Sequence, residues 1–200
     1  MERMWRRLGC PSPPPAVVKR RVLKTLLSVF RAEVFVETGT YLGDTVASLR
    51  GYARTIHSIE LGNDLYKNAT KRFECCPDVR LWHGDSAAVL PEVLNHVDSR
   101  CLFWLDGHYS EGITARGSQD TPIVEELKHI FSASLPPYLI VIDDTRCFNG
   151  MNGYPCMHSL LQFVAAAKPN FQVVAGWDAV CLIPEDETTA VSALKQALTH

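Results

Sequence analysis

The chain has 200 residues, 46% of them hydrophobic and 21% charged, an ordinary globular composition that excludes a disordered or fibrous polymer. Its formal net charge of −2 argues against a general nucleic-acid binder. No apolar run approaches the ~18 residues of a membrane span, and no secretory n-region, h-region and cleavage site follow one another.

The small net charge hides a split. Residues 1–31 carry eight Lys and Arg against one acid, Glu2, whereas the remainder carries twelve basic and twenty-one acidic residues. The opening MERMWRRLGCPSPPP reads as a disordered basic arm over residues 1–15, with an organelle-targeting segment as the alternative. A single domain is expected over residues 16–200. Its first element is a basic amphipathic helix from Ala16 to Arg31, with Val17, Val18, Val22, Leu23, Leu26, Leu27 and Phe30 at helical spacing. That helix packs on a sheet or offers a contact to a membrane surface, a partner or a second copy.

An alternation follows. Strand-like runs at Val34–Glu37, Thr55–Leu61, Val79–Trp82, Cys101–Leu105 and Leu139–Ile142 are separated by helical stretches near Asp44–Tyr52, Asn63–Phe73, Ser86–Leu94 and Pro122–Phe131. This pattern predicts parallel βαβ units in a doubly wound α/β sheet. Thr121 is the expected N-cap of the last of these helices, with Pro122 in its first turn. Phe171–Ala175 and Ala179–Ile183 flank Gly176-Trp177-Asp178, which reads as a hairpin that makes the final strand antiparallel. A last helix is expected over Thr188–Leu198. The seven cysteines are irregularly spaced and include the adjacent pair Cys75 and Cys76, which suits neither a disulfide framework nor a zinc site. A reducing, cytoplasmic setting is the simplest account. Cys101 and Cys181 lie in apolar runs and read as small core residues.

The candidate chemistry lies at the strand ends, which share one edge in a parallel sheet. The first strand leads into Glu37-Thr38-Gly39-Thr40-Tyr41-Leu42-Gly43-Asp44-Thr45, a glycine-containing turn before a helix. Glu60 ends the second strand, twenty-one residues beyond Gly39, where an acid can accept hydrogen bonds from a ribose diol. Asp85 or Ser86 caps the helix after the third strand. Asp106, Asp143 and Asp144 follow the fourth and fifth strands, and three such carboxylates repel one another unless a cation lies between them. Hard oxygen ligands suit Mg²⁺, Ca²⁺ or Mn²⁺. His108 is placed to act as a general base near neutral pH. The polar stretch His108–Asp120, including Arg116, reads as a substrate lid.

With these residues in view, the chain resembles class I S-adenosylmethionine-dependent methyltransferases over about Val34 to Ile183. Glu37-Thr-Gly39-Thr-Tyr-Leu-Gly43 looks like the E-x-G-x-x-x-G form of the macrocin O-methyltransferase and cephalosporin-hydroxylase-like group, although Tyr41 stands where a middle glycine is usual. Asp106-Gly-His108 and Asp143-Asp144 are similar to that group's cation site. The resemblance implies a Rossmann-like seven-stranded sheet, mostly parallel, with an antiparallel terminal hairpin and helices on both faces. It implies S-adenosylmethionine held by Glu37, Gly39, Thr40, Gly43, Asp44, Thr45, Glu60, Asp85, Ser86 and Asp106. It also implies a divalent cation such as Mg²⁺ on Asp106, Asp143 and Asp144, with Asp106 and His108 as the catalytic pair. The function implied is metal-assisted O-methylation of a small-molecule hydroxyl, with no nucleic-acid partner. The alternatives are a non-catalytic binding protein or a hydroxylase-like relative on the same fold.

Overall fold

The computed structural model describes residues 2–106, 121–151 and 153–199. A short helix, α1 (Glu2–Arg7), precedes α2 (Ala16–Phe30). Four βα units follow: β1 (Val34–Thr38) with α3 (Asp44–Leu49), β2 (Thr55–Glu60) with α4 (Asn63–Arg72), β3 (Val79–His83) with α5 (Ser86–Leu94), and β4 (Cys101–Leu105) with α6 (Ile123–Ser132). The chain then forms β5 (Tyr138–Ile142), α7 (Met157–Ala167), β6 (Phe171–Gly176), β7 (Ala179–Pro184) and α8 (Thr188–Thr199). The strands order as β3-β2-β1-β4-β5-β7-β6. β1 to β5 pair in parallel, and β7 enters antiparallel to both β5 and β6.

The strands are apolar on both faces because helices cover both. Alternate residues divide between two cores. Phe35, Leu102, Trp104, Leu139, Val141 and Cys181 meet Leu23, Leu26 and Leu27 of α2 and Leu194 of α8 on one side. Val34, Val36, Phe103, Leu105, Ile140 and Ile142 meet Leu90 and Val93 of α5, Leu127 of α6 and Leu160 of α7 on the other. The chain winds outward from β1 to β3 and then crosses back to β4, so the order reverses between β1 and β4. A sheet of this kind binds ligands at that reversal.

Three local expectations differ from the structure. The arm expected to be disordered contains α1, because Trp5 is buried, donates its indole N–H to the Pro11 carbonyl at 2.7 Å, and meets the Trp177 ring edge-on at 5.6 Å. Pro122, not Thr121, holds the N-cap position of α6, while the Thr121 hydroxyl accepts from the Ile123 N–H at 3.4 Å. Helix α7 is absent from the elements expected on sequence. Met157, Leu160, Leu161 and Val164 do recur at helical spacing, but the turn-rich stretch before them masks the start. Among the described residues, no helix is long and apolar enough to cross a membrane.

Candidate cofactor and acceptor site

Glu37, Glu60, Asp85, Asp106, Asp143 and Asp144 all lie at or just beyond the carboxyl ends of β1 to β5. The parallel register sets Glu37 between Ser58 on one neighbour and Trp104 on the other.

The β1–α3 loop folds over β2. Gly39 and Thr40 donate their N–H groups to the Ile59 carbonyl at 2.9 and 3.1 Å. Glu60 then clasps two loops with one carboxylate: Oε2 accepts the Tyr41 N–H at 2.7 Å and Oε1 accepts the Gly62 N–H at 2.7 Å. A carboxylate has about four acceptor positions, so lone pairs remain for a ligand. A side chain at Gly62 would put its Cβ 3.1 Å from Glu60 Oε1, so the glycine makes room for the clasp.

Beneath the loop, Glu37 is buried. Ser58 donates its hydroxyl to Glu37 Oε1 at 2.7 Å and lies 2.5 Å from the Thr40 hydroxyl. Glu37 Oε2 is buried with no hydrogen-bond partner. Burial pushes this carboxyl up to about 8, against the Ser58 bond and with help from the negative charges of Asp106 and Glu60. Asp44 and Thr45 open α3. The Asp44 carboxylate faces outward to the Arg72 guanidinium at 2.8 Å, and Thr45 is half-buried.

At the β3 end, Asp85 caps α5 by accepting the Ala87 N–H at 3.0 Å, as its position predicts. The Ser86 hydroxyl donates to Glu126 Oε1 at 2.5 Å. Glu126 is fully buried on α6, and burial raises its carboxyl to about 7, with Ser86 and Thr38 opposing. Glu126 is not among the residues singled out from sequence. Its signal was an acid on the apolar stripe formed by Ile123, Leu127 and Ile130.

Past β4, the Asp106 N–H donates to both the carbonyl and the hydroxyl of Thr38 at 3.2 Å. Past β5, Asp143 and Asp144 come together with Asp106 as expected, with one oxygen from each lying within 4.8 Å of the others. A pocket of about 240 Å³ opens here, lined by Asp106, Glu126, Asp143, Asp144, Phe148 and Tyr154 among others.

Two cations already hold this acid cluster. Lys19 Nζ reaches across from α2 to donate to Asp143 Oδ2 at 2.5 Å and Asp144 Oδ1 at 3.1 Å. Arg146 donates to Asp144 Oδ1 at 2.6 Å and to Asp178. Burial disfavours the Lys19 ammonium, but Asp143, Asp144 and Asp106 outweigh it and raise its pKa. The three aspartates have the donor chemistry for a hard divalent ion, which takes oxygens at roughly 2.0–2.6 Å. The ammonium, however, holds Asp143 Oδ2 and Asp144 Oδ1, so a divalent ion would compete with it for those two oxygens. His108, Arg116 and the expected lid over residues 108–120 lie outside the described residues.

No family model matches the sequence, and no curated protein matches it. Solved structures do. The O-methyltransferase TomG from Streptomyces achromogenes, involved in tomaymycin synthesis and solved with S-adenosylmethionine, is 14% identical with a TM-score of 0.61, covering 92% of this chain and 87% of its own. An O-methyltransferase from Bacillus cereus in complex with S-adenosylhomocysteine is 15% identical with a TM-score of 0.58, covering 90% and 87%. A methyltransferase from Podospora anserina bound to S-adenosylhomocysteine is 14% identical with a TM-score of 0.55, covering 82% and 77%. These likenesses concern the backbone, and they establish that the chain has the Rossmann-like fold of methyltransferases, with its seven-stranded sheet and antiparallel terminal hairpin.

Proposed function

We propose that the chain is an S-adenosylmethionine-dependent methyltransferase that methylates a hydroxyl of a small molecule. The observation that carries this reading is the pair of acids under the β1–α3 loop. Glu60 clasps that loop and retains acceptor capacity, and the buried Glu37 keeps one oxygen without a partner. Both lie next to the reversal in strand order, where this class of sheet takes its ligand. The solved neighbours that bind S-adenosylmethionine or its product, two of them O-methyltransferases, support the same reading.

When bound, S-adenosylmethionine supplies an electrophilic methyl on a sulfonium. The residues that would hold it are Glu60 at the ribose, Asp85 and Ser86 at the adenine, and Glu37, Gly39, Thr40, Gly43, Asp44 and Thr45 along the loop and helix start. Asp106 stands between this region and the pocket at Asp143. His108 is the proposed acceptor of the hydroxyl proton, from its place two residues after Asp106 in the chain. Much of the rate gain would come from holding methyl and oxygen in line. No step is assigned to a divalent cation, because Lys19 Nζ is bonded to Asp143 and Asp144. The seven cysteines are free thiols, which supports a cytoplasmic setting.

Calorimetric titration with S-adenosylmethionine tests the reading. The wild type should bind, and Glu60→Ala should bind about tenfold to a hundredfold more weakly, as expected for a lost charged hydrogen-bond acceptor. Glu60→Gln should fall between the two. No heat and no thermal shift with the wild type would remove the cofactor assignment.

A further inference from the structure

We propose that Lys19 is the resident cation of the Asp106–Asp143–Asp144 cluster, so that the chain's own ammonium fills the role that a divalent ion's charge would otherwise serve. The observations are geometric. The Asp143 side chain is 1% exposed and that of Asp144 is 7% exposed. Carboxylates so withdrawn from water need a nearby positive charge, since an unpaired buried charge costs several kcal/mol. Lys19 Nζ lies within hydrogen-bond distance of both, and its own side chain is only 20% exposed.

The ammonium is held there by the elements around it. Val18, its neighbour in α2, is fully buried, and α2 packs through Leu23, Leu26 and Leu27 into the sheet core. Ahead of α2, Trp5 of α1 rests on Trp177, and the Arg6 guanidinium lies 5.6 Å from the same ring. The next residue, Asp178, binds Arg146, which in turn binds Asp144. The β6–β7 turn therefore anchors both the N-terminal segment and the second cation of the cluster. Lys19 and Arg146 together offset two of the charges on Asp106, Asp143, Asp144 and Asp178. A dication added to this set would meet two positive groups, one of them hydrogen-bonded to Asp143 Oδ2 and Asp144 Oδ1. Asp143 Oδ1 is buried without a hydrogen-bond partner and borders the pocket, so the acid keeps one atom to offer to a ligand while Lys19 holds the other.

This inference concerns metal binding and can be tested separately from the methyltransferase reading. Mn²⁺ binding to the full chain, read from the electron paramagnetic resonance signal of the free ion, compares wild type with Lys19→Met, Lys19→Gln and Lys19→Arg. Removing the positive charge should tighten Mn²⁺ binding by about tenfold or more, and adding Asp143→Asn should abolish that gain; Lys19→Arg should behave as wild type. Lys19→Gln can still donate hydrogen bonds to the carboxylates, so it keeps the comparison available if Lys19→Met fails to fold. Melting temperatures should agree, with Mn²⁺ raising that of the charge-removed variant and leaving the wild type unmoved. Wild-type binding tighter than about 100 μM, or a charge-removed variant that binds no tighter than wild type, would overturn the proposal.

Discussion

Replacing Glu37 with glutamine should leave the melting temperature nearly unchanged at about pH 5 and raise it clearly at about pH 8.5. The sign follows from the direction in which the carboxyl moves. Burial takes Glu37 from 4.5 up to about 8. Between those values the folded chain keeps a proton that the unfolded chain has lost, so stability falls as pH rises through the window and is fully present below it. Glu126 and Asp143, each raised to about 7 with burial as the main cause, act in the same sense. His57 opposes them. Burial lowers its imidazole from 6.5 to about 4, so its contribution grows as pH rises from about 4 to 6.5. Below about pH 6.5 His57 offsets only one of the raised carboxyls, and above about pH 7 only Glu37 remains. Wild-type stability should therefore decline from about pH 4.5 to about 8, with Glu37 alone carrying the last part of the fall above about pH 7. A tenfold difference in proton affinity between folded and unfolded chain is worth roughly 1.4 kcal/mol, so Glu37→Gln should gain about 2–4 kcal/mol at the alkaline end. In a chain of this size that is roughly 5–12 °C. Glutamine preserves the shape and the Ser58 contact, so the variant isolates the charge. Thermal melts of both proteins across this range, without cofactor, check the prediction. Parallel curves for the two proteins would show that Glu37 does not carry the slope.

Why Glu37 could be found from sequence while its burial could not illustrates what the chain discloses. The strand period is local, and so β4 and α5 lie where their residue patterns place them. The hairpin at Trp177 and Asp178 is read from a short polar break between two apolar runs. The acids at the strand ends follow from the topology, since parallel strands bring their carboxyl ends to one edge. Lys19 had no local signal. It reads as one more charge on a basic helix, and only the packing of α2 across the sheet brings it within 2.5 Å of an acid 124 residues away. Arg146 and Asp178 were hidden for the same reason, because their pairing joins a loop to a hairpin turn. Glu126 was more accessible, since an acid in line with Ile123, Leu127 and Ile130 must be buried once that stripe meets the sheet. Ser58 is the same case on a strand, a hydroxyl on a fully covered β2 that must find a polar neighbour and finds Glu37.

Gly43→Ala should cost about 2–5 kcal/mol of stability and weaken S-adenosylmethionine binding at least about tenfold, the two losses having one origin. Gly43 precedes α3 in a left-handed conformation, at φ 78° and ψ 19°. An L side chain there costs roughly 1–2 kcal/mol. Its Cβ would also stand 2.7 Å from Phe73 Cε2, and Phe73 is buried in the core beside Ala69. Forcing that ring aside adds roughly 1–3 kcal/mol. The strain is not confined to packing, because Gly43 donates its N–H to the Thr40 carbonyl at 2.8 Å and so closes the loop that presents Tyr41 to Glu60. Gly51 supplies the control. It has a similar φ of 81° but nothing within 4 Å of its Cβ position. Gly51→Ala should therefore lose only the backbone share, about 1–2 kcal/mol, and leave cofactor binding unchanged. Phe73→Leu combined with Gly43→Ala should recover part of the affinity by relieving the contact. Urea melts and cofactor titrations of the four proteins separate the backbone from the ring. Equal losses in Gly43→Ala and Gly51→Ala would show that the Phe73 contact does not set the loop.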